Sequence, residues 1–320
     1  MTNPLYTSET LPTTSLAAIR EFDDRYLAAM GAAKADTWAD RLGALVPTNS
    51  PLVTFPVSQL RTKFQRTQGE SRGKTFQEKS FDLKSEEFDD GYEAELMKLF
   101  TQTFSYRQWQ KAPAALVAAE ERFRQKQIAL LLEDGENAAF LDVGKNFFSA
   151  SHYSNVFDTS LDTWSNYDAA GSDVVSVTNI QAQVVEMNQV RDENGDFLGV
   201  APDTILVHPS KAEPLKNLLK KEMIAESSVS VSNPYMNGFT VVPVNEFTDL
   251  NDWYLVDSKL IGEVAPWVSL RQTVPSSLAL RVFDEASDFF KETGRLKISA
   301  HIWYGFSLAL PHAIRKVVVA

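Results

Sequence analysis

The chain has 320 residues, 44% hydrophobic and 23% charged, enough to bury one large core or two smaller ones. Its 42 Asp and Glu against 31 Lys and Arg give a formal net charge of -11, which argues against wrapping duplex DNA, whose phosphates are gripped by Lys and Arg. The absence of cysteine excludes disulfides, thiolate metal sites and cysteine nucleophiles, four histidines leave little for acid–base chemistry, and no apolar run approaches the roughly 20 residues of a membrane span.

Met1 to Pro12 is rich in Thr, Ser and Pro and reads as an extended arm, with no secretory signal expected. Leu16, Ile19, Asp23, Tyr26, Leu27 and Met30 then fall at helical spacing behind Ser15, the expected N-cap. Asp36 is the expected cap of a second short helix carrying Trp38, Leu42 and Leu45, stopped by the run from Pro47 to Pro51. From Val53 to Leu83 apolar residues are spread among polar ones around the glycine-bearing stretch 65–74. This pattern predicts two strands joined into a long hairpin. Such a ribbon is marginal alone and should lie on another surface.

Charge is polarised here. Arg61, Lys63, Arg66, Arg72, Lys74 and Lys79 face only Glu70 and Glu78 in the same stretch. Residues 82–95 hold Asp82, Glu86, Glu87, Asp89, Asp90, Glu93 and Glu95 against Lys84. Two readings stand: solvated surfaces, or a basic arm that docks on an acidic surface of another copy. On the second, the candidate interface residues are Arg61, Lys63, Arg66, Arg72 and Lys74 on one side and Glu86, Glu87, Asp89 and Asp90 on the other.

The strongest helix follows, with Pro113 in its expected first turn, an apolar stripe from Leu116 to Leu132 and a stop at Gly135. Helical spacing at Leu96, Leu99, Phe100 and Phe104 suggests an earlier start, near Glu93. The middle alternates helix and strand: a helical face at Val177, Ile180, Val184 and Met187, a buried strand at 204–208, a helix through Leu215 and Leu219, and strands at 239–244 and 253–256. Strands are expected at 268–274 and 278–283, with a turn at 284–287. Alternation from Ile298 to Leu310 predicts a long strand with one apolar face.

No motif carries chemistry well. Gly69 to Thr75 has three residues between its glycines where a phosphate loop needs four, and no helical stripe follows. Asp192 to Asp196 places Gly195 wrongly for a calcium loop, and Asn194-Gly195 reads as a tight turn. His152, His208, His301 and His312 show no zinc spacing and read as core or interface residues. No catalytic residue, cofactor or metal is expected.

Several segments, taken in order, resemble the Mu-like phage major head subunit family. They are Phe88-Asp-Asp-Gly-Tyr92 before the long helix, the stretch 140–155 after it, 199–209 and 303–311. The second is similar to that family's "Asp-Gly-x-x-Phe-Phe-Ser-x-x-His" segment. The tryptophan-rich stretch before the hairpin survives only as fragments between Leu42 and Pro47. The resemblance implies an α+β, HK97-type capsid fold: an N-terminal arm (1–50), an extended β-hairpin loop (51–90), a peripheral domain with a long spine helix (91–173 and 263–320) and an axial α/β domain (174–262). It implies a major capsid protein that assembles as hexamers and pentamers into an icosahedral shell around double-stranded DNA, without sequence-specific contact. Scaffolding, portal and decoration proteins are the further partners implied, with the virion as location and the host cytoplasm as the place of synthesis. An encapsulin-like shell around protein cargo and a nucleotide-binding enzyme using Gly69 to Thr75 are the competing readings.

Overall fold

The computed structural model describes residues 11–32, 37–58, 78–140, 144–154, 163–171, 174–192, 195–226, 229–260, 265–273 and 279–319. Helix α1 (Ser15–Ala32) is capped by Thr14, one residue before the expected cap: its Oγ1 accepts the Ala17 N–H at 3.2 Å. Helix α2 (Trp38–Leu42) is capped by Thr37, which accepts the Asp40 N–H at 3.3 Å and donates to the Asp40 carboxylate at 2.7 Å. The expected cap, Asp36, lies outside the described residues. Strand β1 (Ala44–Thr48) follows. Strands β2 (Leu52–Ser58) and β3 (Glu78–Lys84) pair antiparallel as the stem of the expected hairpin, with Phe55 stacked on Phe81 at 5.3 Å.

After Ser85 comes strand β4 (Glu86–Glu95), then α3 (Leu96–Thr101) and α4 (Thr103–Glu133). Helix α4 is 31 residues, about 46 Å long at 1.5 Å per residue. Pro113 lies inside it rather than at its start. An interior proline costs about 3 kcal/mol locally. Tertiary packing offsets that here, because the turn before Pro113 is clamped to α1: Trp109 lies 5.0 Å from Phe22 and donates its indole N–H to Ala18 O at 3.0 Å.

Two short ladders come next, β5 (Ala139–Phe140) with β6 (Lys145–Asn146) and β7 (His152–Tyr153) with β8 (Thr163–Trp164). The rest runs β9 (Tyr167–Gly171), α5 (Val177–Asn188), β10 (Thr204–Val207), α6 (Pro209–Lys220), β11 (Met223–Glu226), β12 (Val229–Ser232), β13 (Thr240–Pro243), β14 (Trp253–Val256), β15 (Trp267–Gln272), β16 (Ala279–Phe283), α7 (Asp288–Thr293), β17 (Arg295–Leu308) and β18 (Ile314–Val319). Helix α7, capped by Ser287, was not expected after the 284–287 turn.

The strands form two main sheets. One is ordered β1-β15-β17-β16, with β4 pairing along β17; the other is β13-β10-β14-β18-β9. The expected apolar face of the last long strand forms, but the polar face is buried as well. Ile298, Ala300, Ile302 and Tyr304 face α1 and α4, yet Ser299 and His301 on the other face are buried too, at 2% and 7% exposure, because side chains of the flanking strands close over them. A second departure concerns residues 314–319, which the expected division groups with the peripheral part. They pair between β14 and β9 in the other sheet, after a turn at Pro311–Ala313, and β9 itself, which the expected division groups the same way, belongs to that sheet too.

Helix α4 belongs to two cores. Trp109, Ala112, Leu116 and Val117 pack with α1 and β17, whereas Ile128, Ala129 and Leu132 pack with Trp38, Trp267, Leu206, Tyr254 and Ile314 where the two sheets meet. Buried polar groups fix this arrangement. The Tyr304 hydroxyl donates to Glu120, and Arg271 approaches the same carboxylate at 3.3 Å. One turn on, Arg124 donates to Asp40 at 2.6 Å. Burial works against the Arg124 charge, but Tyr304, Asp40 and Glu120 outweigh it and hold the group above its usual range. Burial, reinforced by Glu120, holds Tyr304 protonated well above the normal tyrosine range.

At the sheet junction Asn166 satisfies its whole amide. It donates to Phe147 O at 2.9 Å and Pro311 O at 3.2 Å, and accepts from Ser149 N–H at 2.9 Å and the His152 ring at 3.0 Å. His152 stacks on Trp164, which stacks on His312, at 4.7 and 4.4 Å. On β18, successive cations face opposite sides. Arg315 donates to Ser165 O at 2.7 Å, and Lys316 donates to Glu133 O at 2.7 Å between Glu136 and Asp252.

Two outcomes are expected for the unassembled subunit. Glu120→Ala strands Arg271 without its carboxylate and should cost about 3–5 kcal/mol in denaturant unfolding, whereas Tyr304→Phe, which leaves that pair intact, should cost about 1–3 kcal/mol. Equal losses would refute this ranking. Burial pushes His152 down to about 4 from an ordinary 6.5. The unfolded chain therefore takes up this proton first, so the neutral ring's contribution is complete above pH 6.5 and is lost as pH falls towards 4, by about 3 kcal/mol. His152→Gln should flatten stability against pH in that window; an unchanged slope would refute the assignment.

Candidate assembly surfaces

The acidic candidates sit on β4, and its register with β17 decides what each can do. Phe88 and Ala94 pack against the core, while Glu87, Asp89 and Glu93 lie on the opposite face. Glu87 is committed within its own sheet, accepting from Arg281 at 3.1 Å and His301 at 2.8 Å. Glu86, Asp89 and Asp90 are exposed, Asp90 also taking the Gly91 N–H at 2.8 Å. Further along, Glu93 and Glu95 meet Arg295 at 3.5 and 4.0 Å, Glu93 meets Lys297 at 3.9 Å, and Glu95 meets Lys98 at 2.9 Å. The acidic run is thus partly neutralised by Lys98 on α3 and by Arg281, Arg295 and Lys297 on strands distant in sequence, which a count along the run misses. Such exposed pairs contribute about 0–1 kcal/mol each. The basic candidates Arg61, Lys63, Arg66, Arg72 and Lys74, and the glycine-bearing segment 69–75, lie outside the described residues.

Sequence reasoning assigned His301 to packing and missed a relay. Ser299 Oγ lies 3.0 Å from His301 Nε2, and His301 Nδ1 lies 2.8 Å from Glu87 Oε1. The order matches that of a nucleophile, a base and an orienting acid. The surroundings do not suit catalysis. Ser299 is 2% exposed in mid-strand, and the β4 backbone lies on it so closely that a Cβ at Gly91 would fall 3.0 Å from Ser299 Cβ. The flanking amides are held in the strand ladders. The relay ties β17 to β4 and leaves no room for a substrate carbonyl. Of the other histidines, His208 caps α6 by accepting the Ser210 N–H at 3.3 Å, and Gly195, at φ 78°, makes the expected tight turn.

Between β4 and the first half of α4 the core is open at the edge of the sheet. Tyr92 and Ala94 on the strand face Trp109, Ala112 and Ala115 on the helix across a groove of about 670 Å³, rimmed by Lys98, Lys111 and Arg295. Among the described residues β4 pairs only with β17, so its outer edge keeps free backbone donors and acceptors, and an extended segment can add to such an edge. Met97 and Phe104, 69% and 72% exposed, lie at the nearby α3–α4 junction. Among the described residues no helix is long and apolar enough to cross a membrane, and no group of His, Asp and Glu is placed to hold a metal ion.

No curated protein matches the chain. Solved structures share its overall fold and little of its sequence. The capsid of an empty GTA particle gives a TM-score of 0.54 at 14% identity, over 100% of this chain and 96% of that one. The capsid of Cyanophage P-SCSP1u gives 0.54 at 10% identity, over 90% and 89%. The procapsid of bacteriophage JBD30 gives 0.50 at 9% identity, over 97% and 77%. At these identities the likeness establishes the fold, the HK97-type fold. Residues 101–317 match the family described as phage capsid protein, without singling out the Mu-like branch. The chain therefore belongs to the phage capsid protein family, as a major capsid protein of the shell.

Proposed function

We propose that this subunit closes a phage head around double-stranded DNA, held without sequence-specific contact, by assembling as hexamers and pentamers. The observation that carries the proposal is the open edge of β4, where a strand edge unpaired among the described residues, exposed acids and a groove of mixed polarity coincide. The hairpin of a neighbouring subunit, with Arg61, Lys63, Arg66, Arg72 and Lys74, docks on Glu86, Asp89 and Asp90 at the β4 edge. Glu87, held by Arg281 and His301, orders the strand instead of meeting the neighbour. Ion pairs set register, and apolar contact supplies most of the affinity.

The working division is arm 1–50, loop 51–90, peripheral 91–173 with 263–320, and axial 174–262, with strands β9 and β18 completing the axial sheet. Synthesis takes place in the host cytoplasm, with scaffolding, portal and decoration proteins joining the shell. The protein acts without catalysis: segment 69–75 has three residues between its glycines, where a phosphate loop needs four. The family match favours a phage head over a compartment for protein cargo. The net charge of -11 suits a wall that encloses DNA without gripping it.

Particles purified from infected or expressing cells should appear closed and tens of nanometres wide by electron microscopy. Those from infection should hold nuclease-protected DNA; closed particles holding only protein would refute the genome-shell reading. Reversal of Arg66, Arg72 and Lys74 to Glu should strongly reduce particle yield while the subunit stays folded. Normal assembly of that triple variant would sink electrostatic docking of the hairpin.

A further inference from the structure

Helix α5 separates two exposed features that complement one another. Near its N-terminus, Val174, Pro214, Leu218 and Val319 line a groove of about 280 Å³ rimmed by Lys211 and Lys221. Val174 is 57% exposed, and neither lysine is in an ion pair among the described residues. The space is smaller than the roughly 300–1,000 Å³ of small-molecule sites and suits a single anchoring side chain.

At the other end of α5 the bridged residues Arg191 and Phe197 present such an anchor. Arg191 and Phe197 form a β-bridge, Asp192 N–H donates to Asp196 O at 2.8 Å, and Gly195 N–H donates to Asp192 O at 3.0 Å. The Arg191 guanidinium donates to Gly195 O at 2.7 Å and lies 4.3 Å from the centre of the Phe197 ring. Phe197 nonetheless remains 61% exposed. The segment carries Asp192, Glu193 and Asp196 against Arg191, so it is acidic where the groove is basic.

Twelve helical residues put about 18 Å between the two features, so they do not meet within one chain. We infer that the 191–197 hairpin of one subunit docks in the α5–α6 groove of the next, Phe197 filling the apolar floor and Asp196 facing Lys211 and Lys221. Contact between two different patches of one chain is head-to-tail, the kind that closes into rings. This inference rests on the shell reading and adds a second subunit contact, remote from β4. A second copy is the favoured occupant because the complementary charge and the exposed aromatic are both present on this chain.

The absence of cysteine makes the test clean. In a Phe197→Cys, Val174→Cys variant the two thiols of one chain are too far apart to bridge, since a disulfide needs Cα atoms within about 7 Å. Particles of this variant, assembled under reducing conditions and then oxidised, should give a ladder of linked chains on a denaturing gel, while each single-cysteine variant stays monomer-sized. Particles that form but remain monomer-sized overturn this contact and leave the shell reading intact. A wild-type chain that forms no particles overturns the shell reading itself.

If the double-cysteine variant does not assemble, charge exchange decides. Lys221→Glu and Asp196→Lys should each lower particle yield about tenfold or more, since repeated contacts multiply a small loss, and together they should restore it. Singles that assemble like wild type, or a pair no better than either single, overturn the contact.

Discussion

Helix α4 lends Trp109 and Leu116 to one hydrophobic core and Ile128 and Leu132 to another, and the remaining architecture depends on that sharing. A helix of about 46 Å cannot be buried by a single small core. Its first half is covered by α1 and by the sheet around β17; its second half is covered where the two sheets converge. Neither sheet can rotate about the helix without uncovering large side chains, because interiors are packed too densely to deform smoothly.

Apolar contact of this kind is not directional, so the orientation is set by the polar groups buried beside it. Glu120 must meet Arg271 and Tyr304, and Arg124 must meet Asp40, or a charge is left unpaired at a cost of several kcal/mol. At the far end, Lys316 donates to Glu133 O between Glu136 and Asp252 and so ties the second sheet to the end of α4, while Asn166 and its four partners join the 147–152 segment to the turn before β18. The Glu133 carboxylate adds a further tie, accepting from the Thr248 and Asp249 amides at 2.6 and 2.9 Å. A subunit oriented in this way holds its docking surfaces at constant relative positions, which a closed shell requires of every copy.

The surface follows a different rule. Among the described residues several exposed charges are met by weak local pairs, and open grooves lie at the β4 edge and beside the N-terminus of α5. Each such contact is modest alone. Repeated around rings and across a shell, modest contacts become cooperative while each remains reversible enough to correct a misplaced subunit.

Much of this was legible in the sequence. Periodicity located α1, the hairpin stem, α5, α6 and strands β10, β13 and β14, since one-sided burial imposes a period of 3.6 or 2. The order of segments carried the resemblance to phage head subunits. What failed to show was whatever depends on residues far apart in the chain. Pro113 reads locally as a helix start, and only the clamp between Trp109 and α1 lets the helix run through it. Arg315 and Lys316 argue against a central strand until Gln183, Ser165, Glu133, Glu136 and Asp252 are brought around them. Glu87 looks like its acidic neighbours until β17 supplies His301 and β16 supplies Arg281. By itself the sequence determined the elements, the overall acidity and the lack of cysteine chemistry, because these depend on composition and local spacing. Only the tertiary structure decided which charges are engaged and which surfaces stay open, because partners for buried and exposed polar groups are assigned by packing across the fold.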